Sequence, residues 1–183
     1  MNDPSERERL EGALARAACL KLMIFDVDGV MTDGRLYYSA GGEEMKAFNV
    51  RDGLGIKMLR RCGVEVALIT ARKSRALELR AADLGIAHVC QGVEDKRGAH
   101  GALLSKLGLA SEQSGHMGDD LPDLPLFACC GFAATVPDAP DAVRSRAHYV
   151  TRARGGRGAV REVSELVLHA QGSLERAISV YLP

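Results

Sequence analysis

Two carboxylates set two residues apart, Asp26 and Asp28, close the apolar run Leu22-Met23-Ile24-Phe25. Side chains at i and i+2 of an extended chain leave on the same face, so this spacing aims both acids at one point. Gly29 and then Thr32-Asp33-Gly34 turn the chain out of the strand immediately afterwards. Paired acids at the carboxyl end of a strand suit a divalent cation. An acidic turn after a buried strand accounts for Phe25-Asp26-Val27-Asp28-Gly29 equally well, so the decision falls to the rest of the chain.

Three further groups stand where later strands should end. Thr70 follows the apolar run 64–69, Lys96 follows 87–90 and opens a helix, and Gly118-Asp119-Asp120 follows 115–117. Singly these read as a strand-end hydroxyl, a surface lysine and a turn. Together they suit a phosphate monoester, whose dianion approaches a carboxylate only if cations offset the repulsion. Asp26 and Asp119 can offer oxygens to Mg²⁺, which takes one or two carboxylates plus phosphate oxygens; Lys96 adds a charge and Thr70 a hydrogen bond. With Asp28 protonated, two carboxylates and phosphate total about minus four against about plus three from the ion and Lys96. In that chemistry Asp26 attacks phosphorus in line to give an aspartyl phosphate. Asp28 protonates the leaving alcohol and then deprotonates the attacking water. A calcium-binding EF-hand loop is excluded, because its sixth and twelfth positions would be Met31 and Tyr37 rather than glycine and glutamate. A Walker loop is absent.

The elements that must position these groups alternate along the chain. Helical periodicity runs from Ser5, a candidate cap, to Ala18, and Leu20 to Phe25 reads as a buried strand. Arg35 to Tyr38 and Glu44 to Phe48, around Ala40-Gly41-Gly42, read as a hairpin. Helices over 54–61, 74–84, 98–107 and 121–128 then alternate with strands over 64–69, 87–90, 115–117 and 132–135. A short Ala/Arg helix precedes His148-Tyr149-Val150, and a last helix covers Ala159 to Gln171. This rhythm predicts a doubly wound α/β domain with a parallel sheet, over residues 1–183 as a single domain. Ligands of such sheets bind beyond the strands' carboxyl ends, where the candidate residues fall. Arg152 to Gly158 reads as a flexible loop, beginning a flexible C-terminal segment over about 152–183.

The totals exclude some classes. Basic and acidic residues balance at 24 each, so nothing favours nucleic acid or an anionic membrane as partner. No apolar run suits a membrane span and residues 1–18 lack the apolar stretch of a secretory signal, so a soluble, cytoplasmic protein is expected. Cys19, Cys62, Cys90, Cys129 and Cys130 contain no Cys-x-x-Cys pair and read as reduced, packed thiols.

With the acids at 26 and 28, Thr70, Lys96 and the acidic pair at 119–120 in this order, the chain resembles the haloacid dehalogenase-type phosphohydrolases over nearly its whole length. Three longer stretches, residues 25–34, 46–55 and 155–162, resemble the 3-deoxy-D-manno-octulosonate 8-phosphate phosphatases within them. The resemblance implies a Mg²⁺-dependent hydrolase of a small phosphorylated sugar acid in lipopolysaccharide biosynthesis. It implies Asp26 as nucleophile, Asp28 as acid/base and metal ligand through its carbonyl, and Asp119 as metal ligand. Thr70 and Lys96 would hold phosphate, while Asp28, Asn49, Val50, Arg51, Asp52, Gly53, Arg72, Arg80 and Lys96 would face the substrate. An arginine fork suits a sugar-acid carboxylate. Ala71 stands where the family usually has glycine, and Lys57 where arginine is common. The short intervals 29–69 and 71–95 leave no room for a cap domain. The hairpin, packed on a neighbour in a homotetramer, is then expected to exclude water, with Arg152 to Arg161 reaching a neighbour's site. Nonulosonate 9-phosphate phosphatases share the fold and the catalytic residues, but tend to carry glutamate where this chain has Arg72. A catalytically silent oligomerisation domain is the alternative from another class.

Overall fold

The computed structural model describes residues 4–182. In chain order the elements are α1 (Pro4–Ala17), β1 (Leu22–Phe25), β2 (Tyr37–Tyr38), β3 (Glu44–Met45), α2 (Val50–Arg61), β4 (Glu65–Thr70), α3 (Arg75–Leu84) and β5 (His88–Gln91). There follow α4 (Lys96–Leu107), β6 (Ser114–Met117), α5 (Leu124–Phe127), β7 (Phe132–Thr135), α6 (Asp141–Arg144), β8 (Tyr149–Val150), α7 (Ala159–Ala170) and α8 (Leu174–Ser179).

Six strands form one parallel sheet in the order β5-β4-β1-β6-β7-β8. The strand β1 is buried on both faces, which is why it reads as an unbroken apolar run. Its alternate residues feed two cores. Leu22 and Ile24 join Ala67, Ile69, Leu103 and Leu126 on the face covered by α4 and α5. Met23 and Phe25 join Val66, Leu68, Leu59, Val163 and Val167 on the face covered by α2 and α7. The chain leaves β1 toward β4 and β5, then returns to β6 on the other side, so the order reverses at β1. That switch point opens a crevice beyond the carboxyl ends of the central strands. Only the β2–β3 hairpin lies between β1 and α2, so no cap domain covers the crevice.

Four expectations need correction. The first helix begins at Pro4, so Ser5 lies inside it rather than capping it. The helix expected from Leu54 starts at Val50, because the Asn49 side chain accepts the Arg51 N–H and caps it there. The hairpin pairs only Tyr37 with Met45 and Tyr38 with Glu44, shorter than the expected strands over 35–38 and 44–48. The C-terminal segment is not a flexible tail. Glu162 accepts the Arg152 and Ala153 N–H groups, and Val160, Val163, Val167 and Leu168 of α7 are fully buried. A further helix, α8, follows Ser173 and had no counterpart in the sequence reading.

Candidate active site

The parallel register sets the site. Phe25 is level with Leu68 of β4 and with Met117 of β6, so Asp26 leaves the sheet between the ends of those two strands. Asp26 is almost fully buried, and its N–H donates to the Met117 carbonyl at 2.9 Å. Thr70, also buried, ends β4 two residues beyond that register. Lys96 reaches the same place from the first turn of α4, whose start is fixed by Asp95 accepting the Gly98 N–H. Its ammonium donates to Asp26 Oδ1 at 2.7 Å and to Asp123 Oδ1 at 2.6 Å. Burial alone would depress Lys96, but Asp26 and Asp123 hold its proton more firmly than usual.

Asp119 and Asp123 come from the turn after β6, and with Asp26 they form a cluster whose nearest oxygens lie within 4.8 Å of one another. The three acids are not equivalent. Asp123 is saturated: Oδ1 meets Lys96 and His116 Nε2 (2.9 Å), while Oδ2 accepts the Asp119 and Asp120 N–H groups at 3.0 and 3.3 Å. Burial would raise Asp123, but His116 and Lys96 outweigh it and keep it ionised well below the usual carboxylate range. Asp119 is the opposite case. Burial first, then the charges of Asp26, Asp123 and Asp120, push it up to about 8. Burial and Asp123 likewise raise Asp26 despite Lys96. A buried and a half-buried acid, both driven toward their protonated forms, mark a place that lacks positive charge.

A divalent cation fits that place. Asp26 and Asp119 can be its carboxylate ligands, since the oxygens of Asp123 are already taken. The backbone supports this: Gly29 follows the acids at φ 92°, and a Cβ there would collide with the Asp119 carboxylate. Thr32 fixes the turn, its hydroxyl accepting the Gly29 and Gly34 N–H groups at 3.4 and 3.2 Å.

Asp28 points to the hairpin side of the crevice. Lys46 of the same chain donates to its Oδ1, and Arg72 Nε lies 3.8 Å from Oδ2, an oxygen buried without a hydrogen-bond partner. Glu44 joins the two cations, 3.3 Å from Lys46 and 3.0 Å from Arg72, and the Tyr38 hydroxyl accepts from Arg72 at 2.8 Å. The hairpin thus closes over its own protomer's acid, a contact that hydropathy patterning could not reveal.

The expected substrate-facing residues divide. Asp28, Arg72 and Lys96 stand at the crevice, whereas Val50 and Arg51 lie on the exposed outer turn of α2. Asp52 is buried and accepts the Gly158 and Arg161 N–H groups at 3.3 and 2.9 Å, capping α7. Arg80 donates to the Asn49 carbonyl at 3.1 Å and to Asp83 at 2.9 Å and stands 5.9 Å over the Phe48 ring; a Cβ on Gly53 would strike it. Asn49 itself donates to the Gly156 carbonyl at 3.2 Å. These residues brace the loops around the crevice. The Arg154 to Arg157 loop lies on its own chain: the Gly156 N–H donates to Val30, and a Cβ on Gly155 would strike the Gly29 carbonyl. With Asp33, Arg35 and Asp119 it lines a cleft of about 250 Å³.

Sequence reasoning missed Asp123 and His116. Asp123 was signalled by its place one turn after Asp119, in Gly118-Asp119-Asp120-Leu121-Pro122-Asp123. His116 gave no signal, since one polar residue in a buried strand has no periodicity.

A parallel sheet with a buried, lysine-held carboxylate at its switch point and a cation-deficient acid pair beside it defines a haloacid dehalogenase-type hydrolase. A solved structure named for that superfamily, subfamily III A, from Legionella pneumophila has a TM-score of 0.94 and 40% identity, covering 98% of this chain and 99% of that one. The 3-deoxy-D-manno-octulosonate 8-phosphate phosphatase KdsC of Yersinia pestis is 50% identical over 167 residues, 91% of this chain and 89% of its own. The Moraxella catarrhalis phosphatase of the same name, solved with magnesium, phosphate and KDO, has a TM-score of 0.90 and 40% identity, covering 96% and 98% of the two chains. No family model matches the chain. The chain belongs to the 3-deoxy-D-manno-octulosonate 8-phosphate phosphatase family.

Proposed function

We propose that this chain is a phosphoric monoester hydrolase that converts 3-deoxy-D-manno-octulosonate 8-phosphate to 3-deoxy-D-manno-octulosonate and phosphate, with Mg²⁺ as cofactor. The observation that carries the reading is the pairing of Asp26, fixed by Lys96 at 2.7 Å, with an Asp119 whose carboxyl is pushed up to about 8. One position therefore demands a cation and presents a nucleophile. Asp26, Asp119 and the Asp28 carbonyl would hold Mg²⁺, whose charge lets a phosphate dianion meet a carboxylate. Thr70 and Lys96 bind the phosphoryl oxygens, and Lys96 holds Asp26 in line with phosphorus. Asp26 takes the phosphoryl group; Asp28 gives a proton to the departing sugar alcohol and recovers one from the water that hydrolyses the aspartyl phosphate. Lys46 and Arg72 orient Asp28 from the hairpin side, and Arg72 stands where a sugar-acid carboxylate can be bound.

The enzyme works as a homotetramer in which hairpins of neighbouring protomers shield the crevices. Exposed apolar groups at Leu36, Tyr37, Tyr38 and Met45 support this reading. It acts in the cytoplasm, in keeping with five free thiols; no helix among the described residues is long and apolar enough to cross a membrane. Phosphate release from a panel of sugar phosphates, with Mg²⁺ and with chelator, tests the assignment. Octulosonate 8-phosphate is expected to be the preferred ester and chelation to stop turnover. Preference for a nonulosonate 9-phosphate would reassign the substrate, and no release from any ester would leave a silent oligomerisation domain.

A further inference from the structure

A roomier cavity than the cleft beside Asp119 lies elsewhere on the molecule. A groove of about 610 Å³ runs between α1 and the edge strand β8. Its walls carry Arg9, Arg16, Arg144 and Arg152, and among the described side chains no acid lines it, although the chain as a whole is neutral. Asp141 pairs with Arg144 from outside, and Arg16 donates to the Gly131 carbonyl while keeping its charge. The remaining surface is largely apolar, from Leu10, Ala13, Ala147, Tyr149 and Val150. Tyr149 offers only its ring, because its hydroxyl is bound to Glu162 at 2.7 Å. His148 adds a directed donor: Nδ1 accepts the Ala133 N–H at 2.9 Å, so the neutral ring carries its proton on Nε2.

We propose that this groove is a binding site for a small organic anion with an apolar body, separate from the phosphatase centre. The volume lies within the range of small-molecule sites, and the combination of an apolar floor, clustered guanidinium groups and one fixed N–H is what such an anion requires. Guanidinium groups hold the anionic head, and the Leu10 and Tyr149 surface takes the body. Charge complementarity sets the class of occupant: the guanidinium groups of Arg9, Arg16 and Arg152 favour an anion over a cation.

Gly12 supplies the test. It lies on the groove wall within α1, and a Cβ there meets no atom within 4 Å, so a larger side chain projects into empty groove. Gly12→Leu also raises helix propensity, so the fold is retained while the groove is plugged. Binding of 8-anilinonaphthalene-1-sulfonate, an anion with an aromatic body, is followed by fluorescence titration and calorimetry on the full chain. One saturable site is expected, lost in Gly12→Leu and weakened about fivefold in Arg9→Gln, with phosphatase rate preserved and melting temperature not lowered in either. No saturable binding by the native chain, or equal binding to the Gly12→Leu chain, would overturn the proposal. A change in sedimentation caused by the plug would assign the groove to a second copy of the chain and overturn it as well.

Discussion

Asp26 and Asp119 are held close enough that both cannot ionise cheaply, and this one relation fixes how the site answers to pH and to metal. In the folded chain Asp119 titrates near 8 and Asp26 is also raised, against 3.8 when each is unperturbed. The metal-free folded state therefore keeps protons that the unfolded chain has already lost, and its stability falls as pH climbs toward 8. His100 and His116, lowered by burial, act in the opposite sense, but only below their ordinary value of 6.5. Asp123, lowered, contributes stability that is lost only under strong acid. Between about pH 6.5 and 8 the two raised acids decide the sign, and Mg²⁺ must displace their protons. Melting curves with and without Mg²⁺ should show a larger ion-dependent gain near pH 8 than near pH 6.5; an equal gain at both would mean the ion binds elsewhere. Turnover tests the same carboxylates individually. Asp26→Asn should abolish phosphate release, whereas Asp28→Asn should slow it about 100- to 10,000-fold, the usual worth of a general acid/base. Near-native release by Asp26→Asn would remove the covalent step. Of this site, Asp26, Asp28, Thr70, Lys96 and Asp119 were legible because the segments that follow the strands of a parallel sheet converge at one edge, and each residue ends a strand or lies in the segment that follows one. Asp123 and His116 were not, since their importance lies in partners brought together only by the fold.

At the scale of elements, the strands were easier to find than the caps that join them. Runs such as Phe132 to Thr135 carry their own signal, buried on both faces. Val50 to Gly53 looked like a loop because Gly53 and Gly55 weaken helix propensity. Both glycines have reasons in packing instead. A Cβ on Gly53 would strike Arg80, and one on Gly55 would press at 3.0 Å on the Arg161 backbone, so α2 and α7 approach closely only through a glycine. Asp52 completes that junction by capping α7 across space, a role no local pattern announces. Asp52→Ala leaves the half-buried Gly158 and Arg161 N–H groups without their acceptor and should cost about 1 to 2 kcal/mol. Chemical denaturation would measure it. A loss of turnover with unchanged stability would instead give Asp52 the substrate contact first expected of it.

At the scale of the whole molecule, the hairpin leaves an apolar surface without cover. Two cross-strand pairs are too few to hold a hairpin on their own in water. Lys46 and Arg72 tie its inner side to Asp28, but Met45, 58% exposed, and Tyr37 form a cross-strand pair directed to solvent. The sequence showed a hairpin here without showing what it would pack on. If neighbouring hairpins cover one another, the contact also fixes Lys46 on Asp28, and the acid/base geometry then depends on assembly. Met45→Glu places a charge in that contact while leaving Lys46, Glu44 and Arg72 in place. Sedimentation should show the tetramer give way to smaller species, with kcat falling about 10- to 100-fold, the scale of losses when a reacting group is misplaced by an ångström. Circular dichroism should remain unchanged, since the six-stranded sheet lies apart from the hairpin. A dissociated variant with full turnover would show that each protomer closes its own crevice, and an undisturbed tetramer would place the contact elsewhere on the surface.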